Sequence, residues 1–172
     1  IAHSNSVCNH LNKYFRLRLF PGNNNLIEPG EIMMVTQNNH LVPLTNGDFV
    51  KVIQLGEVSS IANLNFRNVR VAHLDTEKEY ELKLALDPFA SFAGNLTTDQ
   101  QRNLMIDFSR RMRRKGIKPK SEKYFEAMRI DSYLNSLRAT YGYVVTCHKA
   151  QGGEWKDVFL FLDKRMYGYM SA

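Results

Sequence analysis

Cysteine is nearly absent from this chain, and the two present, Cys8 and Cys147, lie far apart without the spacing of metal ligands. That excludes a disulfide framework and a thiolate metal centre, and it leads to the expectation of a reduced, cytoplasmic protein with two incidental thiols and no metal site. Long apolar runs are missing too. None approaches the roughly 20 residues needed to span a bilayer, and no signal-peptide pattern opens the chain, so no membrane partner is expected. Low-complexity segments and internal repeats are absent as well. What is present is a hydrophobic content of 44% against 23% charged residues, the balance of a globular chain and not of a disordered one. At 172 residues it has room for one domain, or one domain with a small insert. The abrupt start at IAHSNS and the stop at YGYMSA read as cuts through a larger protein.

The formal net charge is +6, which favours a polyanionic partner because each phosphate contact releases counterions. Positive charge is densest in SRRMRRKGIKPKSEK, where Arg110, Arg111, Arg113 and Arg114 precede Lys115, Lys118, Lys120 and Lys123. A helix dipole favours cations at its C-terminus by about 0.3–1 kcal/mol each, an effect that scarcely requires so many. Contact with a nucleic-acid backbone and a solvated basic face both fit this segment.

Taken in order, residues 1–20 predict a helix capped by Ser4 or Asn5, with Val7, Leu11, Tyr14, Phe15 and Leu19 on a buried face and Asn9, Asn12, Lys13 and Arg16 elsewhere. PGNNNLIEPG is turn chemistry. From 31 to 87 the pattern is β: EIMMVTQN, a tight turn at Asn46-Gly47-Asp48, then FVKVIQLGE, LNFRNVRVAHLD with a register slip around Asn68, and EYELKLALD with Tyr80, Leu82, Leu84 and Leu86 on one face. Short strands joined by tight turns predict a small antiparallel barrel, which would either contact nucleic acid or act as a spacer. Residues 97–138 predict two helices. The first is capped by Thr97 or Thr98, with Gln100 at capping-box spacing and Leu104, Met105, Phe108 and Met112 as its stripe. The second starts near Ser121, with Tyr124, Phe125, Met128, Tyr133, Leu134 and Leu137 facing inward.

The chemistry concentrates at 141–163, YGYVVTCHKAQGGEWKDVFLFLD. An apolar strand feeds Thr146, His148, Lys149, Gln151, Gly152, Gly153 and Glu154, and a second apolar strand, Val158 to Leu162, is expected at once. If strand alternation continues, Thr146 and His148 share a face and can both donate to phosphate oxygens. The glycines allow backbone amides to approach a ligand, Glu154 can accept from a sugar hydroxyl pair, and Gln151 can donate and accept at once. A plain strand–turn–strand link with solvated side chains is the alternative.

The pattern YGYVVTCHKAQGGEW-x-x-VFLFLD resembles motif V of superfamily-one DNA helicases of the RecD-like branch (exodeoxyribonuclease V alpha-subunit-like), and HSN-x-x-x-x-x-LN looks like that family's motif IV. GEIMMVTQNN followed by NGD-x-x-x-V looks like the entry into a Src-homology-three-like barrel inserted in the second RecA-like domain. The resemblance implies an α/β fold. Residues 1–40 and 139–172 would form a partial, mainly parallel RecA-like domain, 41–96 the inserted barrel and 97–138 a basic helical insertion. It implies that Thr146, His148, Lys149, Ser4 and Asn5 meet single-stranded DNA, and that Gln151, Gly152, Gly153 and Glu154 contribute to an ATP site. Arg110, Arg111, Arg113 and Arg114 join the strand-binding candidates through their charge, since no family motif covers them.

The pattern G-x-x-x-x-G-K-[ST] is absent, and no Asp-Glu pair follows an apolar strand. In the family those belong to a first RecA-like domain, and the later arginine of motif VI is missing as well. The expectation is therefore the C-terminal part of an ATP-dependent DNA helicase, with no catalytic residue of its own and no ATP or magnesium bound to it alone. Its partners would be single-stranded DNA and the N-terminal RecA-like domain of the same protein. A stand-alone single-strand-binding module without a motor is the alternative from another class. A third reading, with His148 as a catalytic base, lacks any nucleophile or metal set to join it.

Overall fold

The computed structural model describes residues 1–22, 25–91 and 93–162. The chain divides into two compact units, Asn25–Thr140 and a second one made of Ile1–Asn24 with Tyr141–Ala172. The divisions drawn from sequence at 40, 96 and 138 follow element type instead and fall inside the first of these units.

Unit Asn25–Thr140 is mixed α/β. Strands β1 (Ile32–Val35), β2 (Phe49–Ile61), β3 (Leu64–His73) and β4 (Glu79–Ala85) form an antiparallel meander, and β5 (Ala139–Tyr141) borders β1, giving the order β4-β3-β2-β1-β5. The slip around Asn68 is a β-bulge. Leu55 pairs with Val69 and Val58 with Arg67, so Gly56 and Glu57 together face Asn68. The inward face of β3 changes parity there, with Leu64 and Phe66 buried on one side of the bulge and Val69 and Val71 on the other. A Cβ on Gly56 would stand 3.0 Å from the Asn68 Cβ, so glycine permits the approach. β2 and β3 are joined by Ala62 and Asn63, both left-handed with φ of 53° and 59°, a two-residue hairpin of the primed type.

One short stretch bonds both ends of this meander. Leu137 donates to the Lys83 carbonyl at 2.6 Å and accepts from the Ala85 amide at 3.1 Å, on β4. Its neighbour Arg138 accepts through its carbonyl from the Thr36 amide at 2.9 Å, just past β1.

Leu86, expected as the last inward residue of β4, instead opens helix α2 (Leu86–Ala90), since Pro88 cannot donate to a sheet ladder. Helix α3 (Thr98–Arg114) starts with the expected capping box between Thr97 and Gln100. Helix α4 (Glu122–Ile130) starts at its Ser121 cap. It ends earlier than its apolar pattern predicted, because the Asp131 carboxylate accepts from the Tyr133 and Leu134 amides at 3.1 and 2.9 Å and turns the chain out of the helix. Tyr133, Leu134 and Leu137 therefore follow α4. Leu104, Phe108, Met112 and Tyr124 are buried as expected, whereas Met105 and Phe125 are exposed. Helices and sheet share one core: Leu64 and Phe66 pack with Leu104, and the Tyr133 ring stands edge-on to Phe66 at 5.2 Å.

The other unit is built on helix α1 (Asn5–Leu19), where the Ser4 hydroxyl accepts from the Val7 amide. Val7 and Leu11 pack against Ala2, Cys8 and Val144. Tyr14, Phe15 and Leu19, expected to be buried, are exposed, and Asn12, expected on another face, is buried. The helix is turned this way by its amide: Asn12 donates to the Val144 carbonyl at 2.9 Å and accepts from the Val144 amide at 2.8 Å. Ala2 forms a parallel bridge with Thr146. Ile1 donates to the Phe159 carbonyl at 2.6 Å and accepts from the Phe161 amide at 2.8 Å, the alternation of a parallel rung. Val158 to Leu162, expected as a buried strand, has irregular backbone and is exposed, its backbone pairing among the described residues consisting of these two bonds at Ile1. The remainder of the expected segment, from Asp163 on, lies outside the described residues. No helix among the described residues is long and apolar enough to cross a membrane.

Candidate functional site

The sequence candidates fall in two places. In unit Ile1–Asn24 with Tyr141–Ala172, the bridge between Ala2 and Thr146 is parallel, so both segments leave in the same direction. His3-Ser4-Asn5 and Thr146-Cys147-His148 are therefore neighbours at the carboxyl ends of paired segments, each running into a helix. The Cys147 thiol lies 3.8 Å from the Ala2 carbonyl.

Thr146 and His148 do not continue strand alternation. Thr146 is buried and ends the extended segment, and its carbonyl accepts from the Ala150 amide at 2.9 Å to close the single turn of α5 (Cys147–Ala150). Cys147, His148 and Lys149 are exposed on that turn. The physical reason for the departure is this carbonyl bond, which turns the backbone helical just where the apolar run ends. Gln151 and Gly152 follow in a turn, closed by the Gly153 amide on the Ala150 carbonyl at 3.2 Å, and Gly153 and Glu154 in irregular backbone, all four exposed. Gly152 has φ of 83°, a left-handed conformation that favours glycine. Gly153 lies beside the Trp155 indole, whose ring a Cβ at that position would meet.

The approach to this loop is held from below. The double bond from Asn12 to Val144 pins the strand two residues before Thr146. Tyr141 and Tyr143 stack at 6.3 Å, and the Arg16 guanidinium lies 5.4 Å from the Tyr141 ring centroid. Burial pushes the Cys8 thiol above its ordinary value, which keeps it protonated and inert among Ala2 and Val144.

The basic segment lies in unit Asn25–Thr140, and its four arginines are not equivalent. Arg110, Arg113 and Arg114 are exposed. Arg111 is turned inward, bound to Asp107 at 2.8 Å and to Asp131 at 2.6 Å, with its guanidinium 5.5 Å from the ring centroids of both Phe108 and Tyr133. Burial pulls its pKa down, but the hydrogen bonds it donates to Asp131 and Asp107 outweigh this and hold it above the ordinary arginine value. It braces α3 against the turn after α4.

Sequence reasoning passed over Arg138. It is 6% exposed, its Nη1 donates to the Ser136 hydroxyl at 2.5 Å, and no carboxylate pairs with it among the described residues. Burial pushes its pKa down to about 10, leaving it charged at neutral pH. Its position between Leu137 and Ala139, two buried apolar residues, gave no signal of a charged interior. Among the described residues no group of three His, Cys, Asp or Glu side chains is placed to hold a metal ion.

Residues 141–172 match the family model of the UvrD-like helicase C-terminal domain. No curated protein matches the chain. The chain thus carries a helicase-related segment, and that segment starts at the strand leading into the Thr146–Glu154 loop.

Proposed function

We propose that this chain is part of an ATP-dependent DNA helicase of superfamily one, of the RecD-like branch, acting in DNA repair or recombination. It contributes single-strand contacts and one wall of the ATP cleft. The observation that carries the reading is the parallel pairing of residues 1–2 with 145–146 on one side and with 159–161 on the other. That is the local pattern of a parallel sheet with a loop at the carboxyl end of its strands, where open α/β sheets hold ligands. The helicase C-terminal domain match over the same loop supports it.

In this reading Gln151, Gly152, Gly153 and Glu154 face a nucleotide, while Thr146, His148, Lys149, Ser4 and Asn5 meet the strand or couple it to the nucleotide. The five-stranded sheet of the other unit is a Src-homology-three-like barrel, a reading supported by the stretch at Leu137 that bonds both ends of the meander. Translocation would run 5′ to 3′, with ATP and magnesium held mainly by a first RecA-like domain of the same protein in the cytoplasm. No Walker A lysine lies within the 172 residues. The chain alone is therefore expected to show no DNA-stimulated ATPase, and measurable hydrolysis by the purified chain would refute this.

Strand binding is tested by salt titration. Arg110, Arg113 and Arg114 changed together to Gln should reduce the slope of log affinity against log salt by about 0.7 for each phosphate that these arginines neutralise. An unchanged slope would leave this face simply solvated. The second reading, a binding module without a motor, is favoured by unit Asn25–Thr140, which has its own core and carries the basic helix. A Walker A sequence encoded upstream decides for the helicase; strand binding without one decides for the module.

A further inference from the structure

Arg138 lines a cavity of about 650 Å3 within unit Asn25–Thr140, bounded by α3, α4, the loop after β1 and the stretch before β5. The lining has a definite chemical polarity. Arg138, Arg129 and His40 supply its basic groups, and among the described residues no acidic side chain lines it. The lining also includes Met105, Phe125 and Met128, of which Met105 and Phe125 were expected in the core and are exposed. Gln37 and Asn135 add amides; the Asn135 nitrogen already donates to the Met128, Arg129 and Asp131 carbonyls, which leaves its oxygen to accept.

The two inward arginines show why this is a site and not only an interior. Arg111 meets two carboxylates. Arg138, 6% exposed, has one hydroxyl on Nη1 and no carboxylate paired with it among the described residues. A buried charge without a counter-ion is costly, and a guanidinium presents paired donors that match an anion's oxygens. A single carboxylate would answer Arg138 alone. A phosphate monoester, with a charge near −2 and three acceptor oxygens, also answers Arg129 and His40. A ligand that fills the cavity must then carry a flat apolar body able to lie on Phe125 and the two thioethers while offering polar edges to the amides.

We propose that this cavity binds a nucleoside monophosphate unit, with the phosphate on Arg138 and Arg129 and the base against Phe125, Met105 and Met128. The source of the unit is either a free nucleotide or the phosphorylated end of a strand. The proposal does not depend on the helicase reading, whose residues lie on the Thr146–Glu154 loop and the outer face of α3.

The test is calorimetric titration of the whole chain with adenosine monophosphate, thymidine monophosphate, adenosine, inorganic phosphate and acetate. A monophosphate should bind at least tenfold more tightly than adenosine or phosphate alone, and acetate should not compete. Arg129→Gln and Phe125→Ala, both at exposed positions, should each weaken binding about tenfold without lowering the melting temperature. Arg138→Gln should abolish the advantage of monophosphate over adenosine while the ligand-free melting temperature holds or rises, whereas a purely structural arginine would lower it. A 5′-phosphorylated oligonucleotide that outcompetes both its unphosphorylated twin and the free nucleotide assigns the strand end; the reverse order assigns the free nucleotide. Adenosine binding as well as its monophosphate, acetate competing, or indifference to Arg129→Gln would overturn the proposal. The salt slope of strand binding, read on Arg110, Arg113 and Arg114, reports separately on the proposed function.

Discussion

The two units reach order by different means. Asn25–Thr140 is organised by volume: Phe66, Phe89 and Phe108 are fully buried, Phe66 packing with Leu104 of α3 and Phe108 with Met112 and Tyr124. In the other unit the apolar cluster is small, Ala2, Cys8 and Val144 with their half-covered neighbours, and Tyr141 is the large ring buried among the described residues. Its larger side chains Phe15, Leu17, Phe159 and Phe161 are exposed, and directional backbone bonds hold its described residues in register. The first kind of order tolerates an imperfect hydrogen bond and suffers from a lost ring. The second should behave the other way round, and the candidate loop belongs to the second.

The sharpest way to break this contrast is to remove rings. Phe66→Ala should cost about 3–5 kcal/mol by denaturant unfolding, whereas Phe159→Ala, at a side chain 84% exposed, should stay within about 0.5 kcal/mol. Equal costs would erase the distinction. Next in size is the turn brace: Asp131→Ala leaves Arg111 with one carboxylate and should cost about 2–3 kcal/mol, measured by the same unfolding. Asn12→Ala removes both bonds to Val144 and should cost about 1–2 kcal/mol. Its loss should appear as faster hydrogen exchange at the Val144 amide while the amides of β2 and β3 keep their protection; a global change in exchange would contradict two separate kinds of order. The smallest effect is a gain. Ala62 has φ of 53°, so Ala62→Gly should raise the melting temperature through about 1 kcal/mol of relieved backbone strain, and an unchanged or lower midpoint would refute it.

Legibility in the sequence follows the same line. Signals confined to a few consecutive residues were readable: the Ser4 cap, the Thr97–Gln100 box, the Ser121 start, the turn at Gly47 with φ of 102°, and the β-bulge felt as a slip at Asn68. The turn at Ala62-Asn63 was not, because the left-handed pair lacks the glycine that usually marks it. Arg111 looked like its neighbours because nothing local says that Asp131 will reach back to it. In the candidate loop the residue types were legible and their directions were not, since the helical turn after Thr146 breaks the alternation. Arg138 was invisible for the same reason: its surroundings come from α3, α4 and the loop after β1.

The Asn12 carboxamide is bonded to a backbone 132 positions away in the chain, and it meets that backbone with both its donor and its acceptor. It does for one residue what a neighbouring strand would do, so α1 acts there as a substitute sheet edge. Such an edge has a single allowed phase. Advancing the helix by one residue turns it by about 100° and breaks both bonds together. A rotation of α1 about its axis would therefore be felt at Val144, two residues ahead of Thr146, as an on–off event. In mechanical terms the helix is a key with one tooth, and the strand leading to the loop is the wafer it holds in place.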